Sequence, residues 1–241
     1  MRFTREAKHF RYNLFMFQPK IIIVQHEAEF CGRGVEILQS SMSASIIERG
    51  KVVIGLSGGS TPRAIYEVLG KEKLDWSKVW VFLVDDRYIN ADDPKSNQFL
   101  LRSTLLKNAP IPESQIIFPD TTLPYEDCIR SYEVQLRSLL KTPADLVTLG
   151  LGDDGHIASL FPPVLDDAFG DHLVIGTETE QFDVRQRISV TMPVLQAARE
   201  IVFFLKGEVK KKTWKEMMTS KDGPNRWPAR ALKNPVVIAQ W

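Results

Sequence analysis

The sequence predicts a doubly wound α/β fold: a single, mostly parallel sheet with helices on both faces. Three observations lead there. Short runs rich in β-branched residues recur at 21–24, 52–56, 79–84, 145–151, 187–191, 200–205 and 235–239. Most of these runs are nearly continuously apolar, as strands covered on both faces must be. Between several of them the apolar residues fall at helical spacing, which is the alternation of βαβ units.

The run 21–24 opens the fold. After it Cys31, Val35, Leu38, Met42 and Ile46 recur every three or four residues, which predicts an amphipathic helix. The run 52–56 is the second strand. Pro62 then marks the first position of the next helix, because its missing N–H would have no partner there anyway. The run 79–84 is the third strand. Tyr125, Ile129, Tyr132, Leu136 and Leu139 set out a second helical face, and 145–151 follows as a strand. The runs 187–191, 200–205 and 235–239 are expected to complete the same sheet. No linker, repeat or shift of composition divides this stretch, so one catalytic-sized domain is expected over 20–241.

Composition narrows the class of protein. The chain has 241 residues, 44% of them hydrophobic and 25% charged, which is ordinary globular usage and excludes wholesale disorder. A formal net charge of +1 gives no electrostatic footprint for nucleic acid or an anionic membrane. Any positive charge that matters is local, and a small-molecule partner is expected. Cys31 and Cys128 lie in helical patterns without metal or Cys-x-x-Cys spacing, so they read as core residues of a cytoplasmic protein. No apolar run approaches the roughly 20 residues of a membrane span. Residues 1–19 read as an N-terminal extension, basic and aromatic over 1–17, with Met16 as an alternative start.

In a doubly wound sheet, ligands sit beyond the carboxyl ends of the strands, so the chemistry is sought in the turns there. After 52–56 come Ser57, Gly58, Gly59, Ser60 and Thr61. The glycines let the backbone approach a ligand, the free N–H groups suit a phosphate, and the hydroxyls add donors. The blander reading is a tight turn with Ser60 or Thr61 capping the helix. The turn matches neither the dinucleotide nor the P-loop pattern, and a monophosphate fits it better than a nucleotide.

After 79–84 come Asp85, Asp86 and Arg87. An acid pair there suits sugar hydroxyls or proton transfer, and Arg87 suits bidentate phosphate binding. Solvated surface charges, with Ser96 capping the next helix, are the alternative. After 145–151 the glycines at 150, 152 and 155 flank Asp153 and Asp154, and His156 follows. A histidine so placed is the best candidate for a general base, with Asp154 to fix its tautomer or meet substrate hydroxyls. A metal held by Asp153, Asp154 and His156 is a competing reading, but no further His or Cys cluster accompanies it, and no metal is expected. Beyond 200–205, Gly207 leads into Lys210, Lys211 and Lys212, where a bound phosphate would offset the penalty of lysines at a helix start. Arg187 is a further candidate anion ligand.

Together these blocks resemble the glucosamine-6-phosphate isomerase/6-phosphogluconolactonase superfamily, on its 6-phosphogluconolactonase side. The Ser-Gly-Gly-Ser-Thr-Pro turn stands at 57–62, and Asp85-Asp86-Arg87 with Ser96-Asn97 matches an Asp-Glu-Arg…Ser-Asn stretch. The signature Gly-x-Gly-x-Asp-Gly-His-x-Ala-Ser-Leu-Phe-Pro is complete at 150–162. Arg187, Thr191 and Pro193, then Gly207 and Lys210, match the later elements. Asp86, Tyr88-Ile89-Asn90, Pro163 and Arg230 depart from it. The resemblance implies a Rossmann-like, glucosamine-6-phosphate isomerase-like fold. It also implies hydrolysis of 6-phospho-D-glucono-1,5-lactone in the oxidative pentose phosphate pathway, without a cofactor. By the same resemblance His156 is the base, and Ser60, Thr61, Arg87 and Lys210 hold the phosphate.

The sister activity, glucosamine-6-phosphate isomerisation with deamination, is the nearest rival. It typically follows Asp-Gly-His with Phe-Asn-Glu-Pro, whereas this chain carries Ala158 to Pro162 with no carboxylate. A non-catalytic sugar-phosphate-binding regulator is the rival of another class, and a retained His156 gives a pure binder no benefit. A monomer or homodimer is expected.

Overall fold

Strand formation follows the apolar runs closely. A computed structural model describes residues 17–241. The first strands and helices are β1 (Lys20–Val24), α1 (Glu27–Arg49), β2 (Val52–Leu56), α2 (Arg63–Leu69) and β3 (Val79–Leu83). A short β4 (Asp85–Arg87), α3 (Asn97–Ser103), α4 (Leu105–Asn108), β5 (Ile116–Ile117), α5 (Tyr125–Leu139) and β6 (Leu146–Leu149) follow. The chain ends with β7 (Val174–Glu178), β8 (Gln186–Val190), α6 (Met192–Ala197), β9 (Glu200–Lys206), α7 (Glu208–Thr219) and β10 (Val236–Gln240).

Seven strands form one sheet in the order β1-β10-β9-β6-β2-β3-β5, and every pairing in it is parallel. The alternation of side chains across each strand divides the core in two. On β9, Val202 and Phe204 face the layer of α1, α2 and α3, while Ile201, Phe203 and Leu205 face that of α5, α6 and α7. All five of these β9 residues are buried, which is why their run is apolar throughout. The chain moves outward from β2 to β3 and β5, then returns to the other side of β2 with β6. The switch point therefore lies between β2 and β6, where Ile54 pairs with Leu146. The turns after these two strands, 57–61 and 150–156, flank the crevice that this topology creates.

The fold class stands, with one correction to the sheet. The run expected at 187–191 does not join the main sheet. It becomes β8 in a separate three-stranded antiparallel sheet, ordered β4-β8-β7. Its partner β7 is half-exposed along its length, so it never reads as a buried strand. This ribbon covers one end of the crevice instead of extending the layer.

The helix after β2 also differs in detail. It starts at Arg63, and Pro62 is its capping residue without any side-chain cap, because residues 60–63 close a turn of their own. Ser96 does cap α3, accepting from the N–H groups of Gln98 and Phe99. Cys31 is half-buried and Cys128 buried, both as free thiols. Among the described residues no helix is long and apolar enough to cross a membrane. Most of the expected extension, 1–16 of 1–19, lies outside the described residues; Phe17, near its inner end, packs on Trp214 at 5.8 Å between ring centroids.

Candidate active site

The turn after β2 is built for close approach. Ser57 N–H donates to Thr148 Oγ1 at 3.0 Å, and the Tyr66 hydroxyl donates to the Ser57 carbonyl at 2.9 Å. Burial drives the Tyr66 phenol up to about 12, so it stays a neutral donor. These bonds fix the path of the chain into Gly58, where a Cβ would stand 1.8 Å from Asn97 Oδ1. Gly59 follows with φ of +93°, a conformation that favours glycine. Ser60 and Thr61 then line the crevice, while the Ser57 side chain is buried against Thr148.

β4 sorts the charges by alternation. Asp85 and Arg87 face the crevice, and Asp86 turns inward. Asp86 accepts from the N–H groups of Arg87 at 2.7 Å, Asn97 at 2.7 Å and Gln98 at 3.2 Å, and from Ser96 Oγ at 3.1 Å. Burial nevertheless raises its carboxyl to about 6. The acid pair read from the sequence is thus one site carboxylate and one structural anchor. Asp85 Oδ2 accepts from Ser159 Oγ at 2.7 Å. Asn97 joins the two site residues: its Nδ2 donates to the Asp85 carbonyl at 2.8 Å, and its Oδ1 accepts from Arg87 Nη1 at 2.8 Å.

Arg187 lies directly opposite Arg87 in the β4–β8 ladder. Two like charges facing each other in this way are unfavourable unless an anion lies between them. Burial, then the charge of Arg87, lowers the Arg187 pKa. Arg187 Nε donates to the Val184 carbonyl at 2.9 Å.

The turn after β6 holds the imidazole. Gly152 is required there, since a Cβ would stand 2.1 Å from His156 Nδ1. His156 Nδ1 lies 2.6 Å from Asp154 Oδ1. A carboxylate accepts only, so Nδ1 carries the proton and the Nε2 lone pair is left for a ligand. Burial opposes ionisation of Asp154, but the bonds to His156 outweigh it and hold the carboxyl below its ordinary range. Lys210, near the start of α7, places Nζ 2.5 Å from Asp153 Oδ1. Asp153, the third donor of the alternative metal set, is therefore turned towards a lysine. Among the described residues no group of three His, Cys, Asp or Glu is placed to hold a metal.

Of the residues named from the sequence, Ser57 to Thr61, Asp85, Arg87, Asp153, Asp154, His156, Arg187 and Lys210 line one cleft of about 470 Å³, whereas Asp86, Lys211 and Lys212 lie outside it. A side chamber shares Arg87 and Arg187 and adds Arg63 and Lys95. Asn97 and Ser159 join the cleft as well, both inside the quoted motifs but with residue types that do not single them out. Phe182 also lines it, from a segment with no distinguishing sequence pattern.

Fold and cleft define a doubly wound α/β protein in which a glycine-rich turn, two opposed guanidinium groups and a carboxylate-held imidazole converge at the switch point. The chain belongs to the family described as glucosamine-6-phosphate isomerases/6-phosphogluconolactonase, whose model matches residues 25–239. It is 40% identical over 207 residues to a probable 6-phosphogluconolactonase of Dictyostelium discoideum, covering 82% of this chain and 86% of that one. It is 34% identical over 223 residues to a 6-phosphogluconolactonase of Synechocystis sp., covering 89% and 91%. The crystal structure of 6-phosphogluconolactonase from Thermotoga maritima superposes with a TM-score of 0.85 at 29% identity, covering 93% of this chain and all of that one.

Proposed function

We propose that this chain, through a domain over 20–241, hydrolyses 6-phospho-D-glucono-1,5-lactone to 6-phosphogluconate in the oxidative pentose phosphate pathway. The observation that carries the reading is the His156–Asp154 pair, at 2.6 Å, in the same cleft as Arg87, Arg187 and Lys210. The 6-phosphogluconolactonases among its relatives support the choice of substrate.

The phosphate is held by Ser60, Thr61 and the N–H groups of the turn that Ser57, Gly58 and Gly59 shape, with Arg87, Arg187 and Lys210 supplying charge. His156 Nε2 takes a proton from water as the water oxygen bonds to the lactone carbonyl carbon. The resulting imidazolium then gives that proton to the ring oxygen as the C–O bond breaks, which opens the ring to acid and alcohol. General acid–base catalysis of this kind contributes roughly 10²–10⁴-fold, and the anchored phosphate supplies positioning. Asp154 keeps the proton on Nδ1 throughout. Asp85, bonded to Ser159, orients the sugar hydroxyls. The residues carry this scheme without a cofactor, in the cytoplasm, and one chain supplies every group, as a monomer or within a homodimer.

The test is a coupled assay of purified protein on freshly generated lactone, run beside glucosamine 6-phosphate. Lactone turnover in large excess is expected. Faster turnover of the amino sugar phosphate would overturn the assignment.

A further inference from the structure

Phe182 stands in the segment between β7 and β8 and is 43% exposed. A single exposed aromatic needs no explanation by itself. This one, however, is placed between the two groups that the reaction requires. The Arg187 guanidinium carbon lies 5.3 Å over the Phe182 ring. The His156 ring centroid lies 5.9 Å away, nearly perpendicular at 82°. Phe161 stands behind both, 4.7 Å from His156 and 6.1 Å from Phe182. Of the described rings, Phe182 alone contacts both the guanidinium and the imidazole, and it lines both the main cleft and the side chamber.

A phosphorylated lactone bound with its phosphate at Arg187 and its carbonyl carbon at His156 must pass its sugar ring along the wall between them. Phe182 occupies that wall. A sugar ring presents hydroxyls at its rim and C–H groups on its faces. Asp85 and Ser159, lining the same cleft, can meet the hydroxyls. An aromatic face kept exposed until a ligand covers it gains from being removed from water.

We infer that Phe182 is a specificity-determining residue that touches the substrate, its ring forming the platform for the sugar of a phosphorylated aldonolactone. The inference rests on the lactonase reading above. It differs from a role in which Phe182 merely steadies Arg187, and the two roles separate by ligand: a platform acts on the sugar, a brace for Arg187 acts on any phosphate.

The experiment measures lactone KM and kcat, and the dissociation constants of 6-phosphogluconate and inorganic phosphate, for the wild type, Phe182→Ala and Phe182→Tyr. Phe182→Ala is expected to raise lactone KM and weaken 6-phosphogluconate about tenfold, the scale of one aromatic contact. Inorganic phosphate should stay within about twofold on the same scale. Phe182→Tyr should restore the wild-type values, and thermal unfolding midpoints show whether each variant folds. Equal losses for 6-phosphogluconate and inorganic phosphate would overturn the inference, as would no loss for either. A wild type that binds 6-phosphogluconate but does not open the lactone would instead overturn the lactonase reading, while the two binding constants still decide the role of Phe182.

Discussion

Gly58 and Asn97 fit against each other so closely that a single methyl group cannot enter between them. A Cβ at 58 would stand 1.8 Å from Asn97 Oδ1. The same amide bonds Arg87 with its oxygen and the Asp85 carbonyl with its nitrogen. The glycine-rich turn, the guanidinium and the Asp85 backbone are thus registered through one asparagine side chain. Gly58→Ala is expected to displace that amide, raising lactone KM at least about tenfold and costing about 1–3 kcal/mol of stability. Steady-state kinetics and urea unfolding check both figures, and an unchanged KM would remove Asn97 from this role.

In the proposed mechanism the carboxylate behind the imidazole fixes which nitrogen holds the proton. Asp154→Asn keeps the volume but lets an amide N–H face Nδ1, which favours the unproductive tautomer. The expected result is a kcat lowered by roughly 10²–10⁴-fold with KM within about threefold. A loss confined to KM would mean that Asp154 binds substrate and does not orient His156.

Arg87→Ala and Lys210→Ala should act on binding. Each is expected to raise KM about tenfold or more while kcat changes little, since a phosphate ligand remote from the reacting carbon contributes uniform binding. An unchanged KM in both variants would take them out of the phosphate site. Lys210 pairs with the exposed Asp153 carboxylate, so little stability should be lost with it.

Asp86 gives the fold a dependence on pH. Its carboxyl, near 3.8 when unfolded, is raised to about 6 by burial in the folded protein. Between those values the folded state holds the extra proton, so the stability Asp86 contributes is fully present below about pH 4 and is lost as pH rises through about 6. Urea midpoints measured from pH 4 to 6 should therefore fall more steeply in the wild type than in Asp86→Asn. Parallel slopes would contradict the burial argument.

The main sheet was legible because being covered on both faces writes an unbroken apolar run, as in 52–56 and 200–205. The site turns were legible because glycines follow those runs where the backbone closely approaches Asn97 and the His156 imidazole. The second sheet was less so. β7 buries only Val174 and leaves its other residues partly or fully exposed, and β8 reads as another core strand until its partner is known. The inward turn of Asp86 follows from a three-residue strand too short to leave a pattern. Phe182 carried no signal, since its role comes from where the ribbon folds back and not from its neighbours in sequence.

The proposed mechanism turns on His156 Nε2 as the base that opens a phosphorylated lactone. The most direct test compares wild type and His156→Ala in lactone hydrolysis, with 6-phosphogluconate affinity measured alongside. The variant is expected to lose kcat by about 10²-fold or more while product affinity stays within about threefold. Full activity in the alanine variant would contradict it.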